Sequence, residues 1–211
     1  MTLKVKGLDR YMKRIGIYGG SFDPVHKGHI HLAKTALDCF SLDNIIFVPA
    51  KISPFKQDKE YSTKDSDRLA MLRAALKGEN SMSVCEYELM EDSVSYTVYT
   101  LRYMKRLYPE DTLVLLVGSD MFLSFRKWYC WQEILSLAEL GCISREHGDR
   151  DILKKQAVIL SEYGRAYASC EDILPVSSTF VRERLKKGED CSCYLPENVV
   201  QYILKHKLYD V

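Results

Sequence analysis

The sequence lacks an excess of either charge: 30 Lys and Arg stand against 29 Asp and Glu. Backbone-driven nucleic-acid binding needs clustered cations that neutralise several phosphates at once, so no nucleic-acid partner is expected and any phosphate chemistry must be local. Long apolar runs are missing too. No stretch of about 18 apolar residues is present, and Met1 to Asp9 has no apolar segment of the secretory kind, so neither a membrane span nor a signal is supported and a cytoplasmic protein without membrane partners is expected. With 6 prolines and 11 glycines there is no linker, low-complexity tract or internal repeat. The 7 cysteines are scattered and odd in number, so they read as reduced thiols rather than a disulfide framework. Cys191 and Cys193 with His206 downstream come nearest to a zinc set, but the spacing fits no ligand pattern, and no metal site is expected.

What the chain does have is the balance of an ordinary globular protein, with 46% apolar and 11% aromatic residues over 211 positions. A chain this long buries roughly 70% of its unfolded surface, which makes one domain over residues 1–211 the expectation. Met12-Lys13-Arg14-Ile15 reads as a natural beginning, one basic step before the first strand, with residues 1–11 as an N-terminal extension.

From Arg14 onward, short β-branched runs alternate with stretches of helical period, the pattern of a doubly wound parallel sheet with helices on both faces. Strands are expected at Ile15–Tyr18, Ile45–Val48 (stopped by Pro49), Ser83–Leu89, Leu113–Val117, Leu140–Ser144 and Ala166–Ser169. Helices are expected over Ile30–Phe40, from a Ser66 cap with Leu69, Leu72 and Leu76 on one face to Gly78, over Val98–Leu107, and from Ile152 to about Glu162 with Gly164 as terminator. Pro54 to Lys64 reads as a surface loop. Two short helices close the chain, Ser178–Lys187 followed by Gly188, and one starting at Pro196.

In open parallel sheets ligands bind beyond the carboxyl ends of the strands, so polar residues just after strands are the ones to weigh. Gly19-Gly20-Ser21-Phe22-Asp23-Pro24-Val25-His26-Lys27-Gly28-His29 spans a strand end and a helix start. Its glycines let backbone approach a bulky anion, the helix start offers free N–H groups, and two histidines add donors. A lone loop histidine is usually only solvated; two, three residues apart at such a junction, are much less so by chance. Pro175-Val176-Ser177-Ser178-Thr179-Phe180-Val181-Arg182 forms a second anion cradle with a cationic fork, although each hydroxyl alone could be a cap and Arg182 alone a surface pair. Gly118-Ser119-Asp120 follows the central strand, where a carboxylate suits ribose hydroxyls and equally suits a helix cap.

These segments resemble the nicotinate-nucleotide adenylyltransferases. Gly19 to His29 is similar to their G-G-x-F-D-P-x-H-x-G-H, Val176 to Arg182 to I-S-S-T-x-x-R, and Ser95-Tyr96-Thr97 with Thr100-Leu101 to S-Y-T-x-x-T-L. Gly118-x-Asp120 followed by Trp128 and Trp131 resembles G-x-D with W-x-x-W, and Leu195-Pro196 to Tyr209 resembles the family's C-terminal helix. The resemblance covers residues 12–210. It implies a Rossmann-like fold and adenylyl transfer from ATP to nicotinate mononucleotide, giving deamido-NAD and pyrophosphate in NAD biosynthesis.

The resemblance further implies catalytic His26, His29 and Arg182, with ATP held by Gly19, Gly20, Ser21, Phe22, Gly118, Asp120, Ser177, Ser178 and Thr179 as well. Nicotinate mononucleotide would meet Lys56, Tyr96, Thr97, Asp120, Trp128 and Tyr129. Mg2+ would travel with ATP; no tightly bound organic cofactor is implied, and a homo-oligomer stays open. Two departures stand out: Ser53-Pro54-Phe55-Lys56 replaces the usual P-P-H-K, and Tyr99 replaces a usual aspartate. Rival readings are an adenylyltransferase with phosphopantetheine, a flavin or nicotinamide mononucleotide as acceptor, or a nucleotide-binding regulator without turnover.

Overall fold

The structure, a computed structural model, describes residues 11–52, 63–92, 94–144, 147–170 and 176–210. Six strands, β1 (Arg14–Gly20), β2 (Asn44–Pro49), β3 (Met82–Val84), β4 (Thr112–Val117), β5 (Glu139–Ser144) and β6 (Ala166–Cys170), form one sheet in the order β3-β2-β1-β4-β5-β6. Every pairing is parallel, with Ile17 opposite Ile46 on one side and Leu115 on the other. The helices are α1 (Lys27–Cys39), α2 (Asp65–Ala75), α3 (Tyr87–Met90), α4 (Thr97–Leu107), α5 (Ser119–Leu123), α6 (Trp131–Leu137), α7 (Arg150–Leu160), α8 (Ser178–Lys186) and α9 (Glu197–His206).

Side-chain alternation along the strands divides the core in two, because successive residues of a strand point to opposite faces. Ile45, Phe47, Val114 and Leu116 face a core closed by α1, α2, α8 and α9. Ile15, Ile17, Ile46, Val48, Leu113, Leu115 and Val117 face a second core closed by α4, α5, α6 and α7. The strands are apolar throughout because both faces are covered, and the chain is the doubly wound sheet its sequence implies. Among the described residues no helix is long and apolar enough to cross a membrane.

Several local expectations need correction. The third strand spans only Met82–Val84, and Tyr87–Met90, read as its continuation, is the helical turn α3; Glu88 and Tyr87 point to different partners there instead of alternating on a sheet. Ser66 is not a cap: α2 begins at Asp65 behind Lys64, which makes no capping side-chain bond. The buried face of α2 is Arg68, Met71 and Leu72, with Leu69 only half-buried. The second strand stops at Pro49, its last residue, whereas Pro196, read as the first helical position, stands one residue before α9. Gly164 does not terminate α7, which closes at Ser161; it packs instead against Leu135, whose carbonyl oxygen would lie 2.6 Å from a Cβ there. Of the loop read from Pro54 to Lys64, residues 54–62 lie outside the described residues, as does the extension up to residue 10.

Candidate active site

The strand order reverses direction between β1 and β4, and there the carboxyl ends of neighbouring strands open a crevice. A cavity of about 630 Å³ fills it, lined by Gly19, Gly20 and Ser21 at the end of β1, by Gly118, Ser119 and Asp120 after β4, and by Ser95, Thr97, Glu88 and Trp128 from the second face. The fold thus brings residues far apart in sequence to one cavity. Gly19 has open space where a side chain would stand, whereas a Cβ on Gly20 would meet the Phe22 ring at 2.9 Å. The Phe22 side chain is buried in the core, so any ligand contact from that residue is left to its backbone.

Beside the cavity lies the first turn of α1. His26 is its N-cap, and the two histidines cap each other: His26 Nδ1 accepts from the His29 amide at 3.3 Å and His29 Nδ1 accepts from the His26 amide at 3.1 Å. The rings stack with centroids 3.6 Å apart. A ring nitrogen that accepts an amide proton carries none itself, so each neutral imidazole holds its proton on Nε2, as a donor. His29 sits inside α1, edge-on to Phe22 at 5.1 Å, because a capping box needs its second member three residues into the helix. Gly28, between them, leaves room for Val176, which would meet a Cβ at 2.7 Å.

That contact brings in the second cradle. Ser177 caps α8 by accepting from the Phe180 amide, while Ser178 Oγ donates to the Pro24 carbonyl at 2.9 Å. Arg182 donates to the Asp23 carbonyl at 2.6 Å and to Thr179 Oγ1 at 3.1 Å. Arg182 is therefore no surface ion pair: α8 is stapled to the β1–α1 loop. Asp23 itself is buried, and its Oδ1 accepts from Thr63 Oγ1 at 2.8 Å and from the Tyr209 phenol at 2.7 Å. Burial, and then the neighbouring Asp23 charge, hold the Tyr209 phenol in its protonated form well above the usual pKa.

On the other side, Asp120 is the second residue of α5, behind Gly118 as N-cap, so its carboxylate is exposed at the cavity and is not a cap. Thr97, which lines the cavity, is the first residue of α4, with Tyr96 in the cap position and no side chain capping the first-turn amides. Trp128 is half-buried against Phe125 with centroids 5.3 Å apart, so it both packs and lines. Tyr129 is exposed and does not line the cavity; with Tyr96 at 4.8 Å and Tyr99 at 6.2 Å it forms an aromatic rim. The hydrogen bond with Tyr99 pushes the Tyr129 phenol up to about 12. Lys56 and the Ser53 to Phe55 departure lie outside the described residues.

Two buried charged residues escaped the sequence reading, of which Glu88 lines the cavity and Arg68 does not. Arg68, fully buried on α2, donates to the carbonyls of Ser21 at 2.6 Å and Ala50 at 2.7 Å and pairs with Asp65 at 2.7 Å, tying the ends of β1 and β2 together. Its spacing of four from Leu72 and eight from Leu76 placed a charge on the apolar face of α2, a readable signal of a buried cation. Glu88 is the other; it follows a strand too short to announce itself.

Comparison with known proteins decides the family. The cytidylyltransferase-like family profile matches residues 17–184. A Clostridium botulinum (strain Loch Maree) protein named "Probable nicotinate-nucleotide adenylyltransferase" is 35% identical over 196 residues, covering 92% of this chain and 97% of its own. The chain belongs to the nicotinate-nucleotide adenylyltransferases. An Aquifex aeolicus protein of the same name is 42% identical over 157 residues, covering 74% of this chain and 90% of its own. Among solved structures, Plasmodium falciparum nicotinic acid mononucleotide adenylyltransferase, in complex with NaAD, superimposes with a TM-score of 0.74 at 25% identity, covering 94% of this chain and 98% of that one. As expected of these nucleotidyltransferases, the chain has a Rossmann-like α/β fold.

Proposed function

We propose that this adenylyltransferase joins ATP to nicotinate mononucleotide in NAD biosynthesis, with the acceptor's pyridine in the cavity between β1 and β4. The observation that carries the reading is the convergence of Gly19 to Ser21, Thr97, Asp120 and Trp128 on one cavity, with the His26–His29 pair and the start of α8 beside it. The acceptor phosphate attacks the α-phosphorus of ATP. The new P–O bond forms as the bond from that phosphorus to the oxygen bridging to the β-phosphate breaks, and pyrophosphate leaves. The second ionisation of a phosphate monoester lies at about 6, so the nucleophile is already an anion at neutral pH and needs no general base.

The protein's work is then alignment and charge stabilisation. In this reading the Nε2 protons of His26 and His29 meet the ATP phosphates, joined by the hydroxyls of Ser177, Ser178 and Thr179 and the Arg182 guanidinium. Gly19, Gly20, Ser21, Gly118 and the Phe22 backbone shape the nucleotide's bed, and Asp120 takes ribose hydroxyls. The first-turn amides of α4 and its macrodipole favour a carboxylate over a carboxamide, while Trp128, with Tyr96 and Tyr129 at the rim, receives the cationic pyridine and Lys56 its phosphate. Magnesium would arrive on ATP, as the resemblance implies. The residues form one domain, and the protein works in the cytoplasm.

The test supplies ATP and magnesium with nicotinate mononucleotide, nicotinamide mononucleotide or phosphopantetheine and measures pyrophosphate release. Release with nicotinate mononucleotide is expected to exceed the others by at least tenfold. ATP binding with no release for any acceptor would favour a regulator instead.

A further inference from the structure

The cavity lining holds two carboxylates, and they differ in kind: Asp120 is exposed, whereas Glu88 is buried at 8%. A carboxylate without solvent must be held by donors, and these are specific. The hydroxyl of Thr100, in the first turn of α4, donates to Glu88 Oε1 at 2.5 Å. The hydroxyl of Ser95, two residues before α4, is its other hydrogen-bond partner. Ser95 Oγ in turn accepts from the backbone amide of Lys51 at 3.1 Å and, less closely, from that of Ile52 at 3.4 Å. The Ser95 amide donates back to the Ile52 carbonyl at 2.9 Å. Glu88 therefore sits at a junction of α3, the entry of α4 and the chain leaving β2.

We propose that Glu88 is a positioning residue for the acceptor: by gripping Thr100 and Ser95 it fixes the start of α4, whose first amides receive the pyridine carboxylate. This rests on the reading of nicotinate mononucleotide as acceptor. The grip acts on both sides of Thr97, since Ser95 precedes it by two residues and Thr100 follows by three, so the amides between them cannot turn independently. A helix start held at one side only would still be helical; it would not hold its amides in register with a carboxylate in the cavity. The energetic demand fits the arrangement, because a carboxylate buried this deeply is retained at a desolvation penalty that its donors must offset.

The role predicts a selective kinetic signature. Glu88→Ala is expected to raise KM for nicotinate mononucleotide about tenfold and to shrink its advantage over nicotinamide mononucleotide by a similar factor, with KM for ATP within twofold. Glu88→Gln, which can still accept from Thr100, should recover most of that loss. Thr100→Val removes the same link from the opposite side while nearly preserving shape, so combining it with Glu88→Ala should add little further to KM. Should Glu88→Ala fail to fold, Thr100→Val carries the same expectation alone.

Three results would overturn the role: additive effects of the two variants, equal rises in KM for ATP and acceptor, or a lower kcat with unchanged acceptor discrimination, as a smaller folded fraction would give. Wild-type protein that releases no pyrophosphate with nicotinate mononucleotide would instead remove the acceptor assignment on which the role rests. Wild-type turnover with discrimination unaltered in Glu88→Ala would sink the positioning role alone.

Discussion

The phenol of Tyr209, near the C-terminus, donates to Asp23 Oδ1 at 2.7 Å, across 186 positions of sequence. Both groups are buried, and Thr63, which borders the segment carrying Lys56, donates to the same oxygen. Removing one donor from a buried carboxylate costs about 1–3 kcal/mol. Tyr209→Phe should therefore lower unfolding free energy by that order in urea titration and raise KM for ATP more than KM for the acceptor. Unchanged stability would mean water replaces the phenol.

His29→Ala removes two things at once, the donor proposed to meet the ATP phosphates and one half of the capping box. Loss of a preorganised donor typically costs about 100 to 1,000 fold in rate, and loss of a cap about 1 kcal/mol. Steady-state kinetics at saturating ATP, together with a melt, should register both. A variant within threefold of wild type in kcat would remove His29 from the chemistry.

For Arg182→Lys a loss of at least tenfold in kcat/KM is expected. The guanidinium holds the Asp23 carbonyl and Thr179 through separate nitrogens, and an ammonium cannot reproduce that fork. Full activity in the lysine variant would reduce Arg182 to a loop fastener.

Thr97→Pro is an unusually clean probe of the acceptor's carboxylate. Thr97 is the first residue of α4, and Tyr96 before it is already extended at φ −75° and ψ 123°, so proline fits there without breaking the helix. The substitution deletes one amide and little else. Preference for nicotinate over nicotinamide mononucleotide should fall severalfold, whereas Trp128→Ala should weaken both acceptors alike. Equal use of both acceptors by the wild type would refute the carboxylate argument.

Stability should also depend on pH through Glu88. Burial, opposed by its bonds to Thr100 and Ser95, raises this carboxyl from 4.5 to about 7. The native state then binds more protons than the unfolded state between those values, so this contribution is fully present below about 4.5 and is lost as pH rises through 7. Each pKa unit corresponds to about 1.4 kcal/mol, which gives a loss on the order of 3 kcal/mol. Urea titrations at pH 5 and pH 8 should show wild type losing stability relative to Glu88→Gln as pH rises; parallel behaviour would contradict it.

The strands were legible because both faces of the sheet are covered, so β1, β2 and β4 appear as continuous apolar runs bounded by polar turns. The His26 and His29 cluster was legible because glycine and histidine at a strand-to-helix junction have few other uses. Glu88 was not, since a three-residue strand leaves no alternation by which to detect the helical turn behind it. Nor was the reciprocal capping by the two histidines, because histidine is a rare cap and its role depends on which nitrogen faces the amide. The Tyr209–Asp23 bond was invisible for a different reason: periodicity describes neighbours along the chain, and these partners are almost the whole chain apart.

The staples from α8 and the C-terminus onto the β1–α1 loop also set an order of assembly. The loop emerges from the ribosome early, yet its carbonyls at Asp23 and Pro24 find Arg182 and Ser178 only after more than 150 further residues, and Asp23 meets Tyr209 later still. Domains generally fold as units, so the early strands and helices do not complete this loop by themselves. The β1–α1 loop stays unfastened until α8 and Tyr209 have been made, so a chain stopped before α8 has its first strands without the bonds that hold this loop.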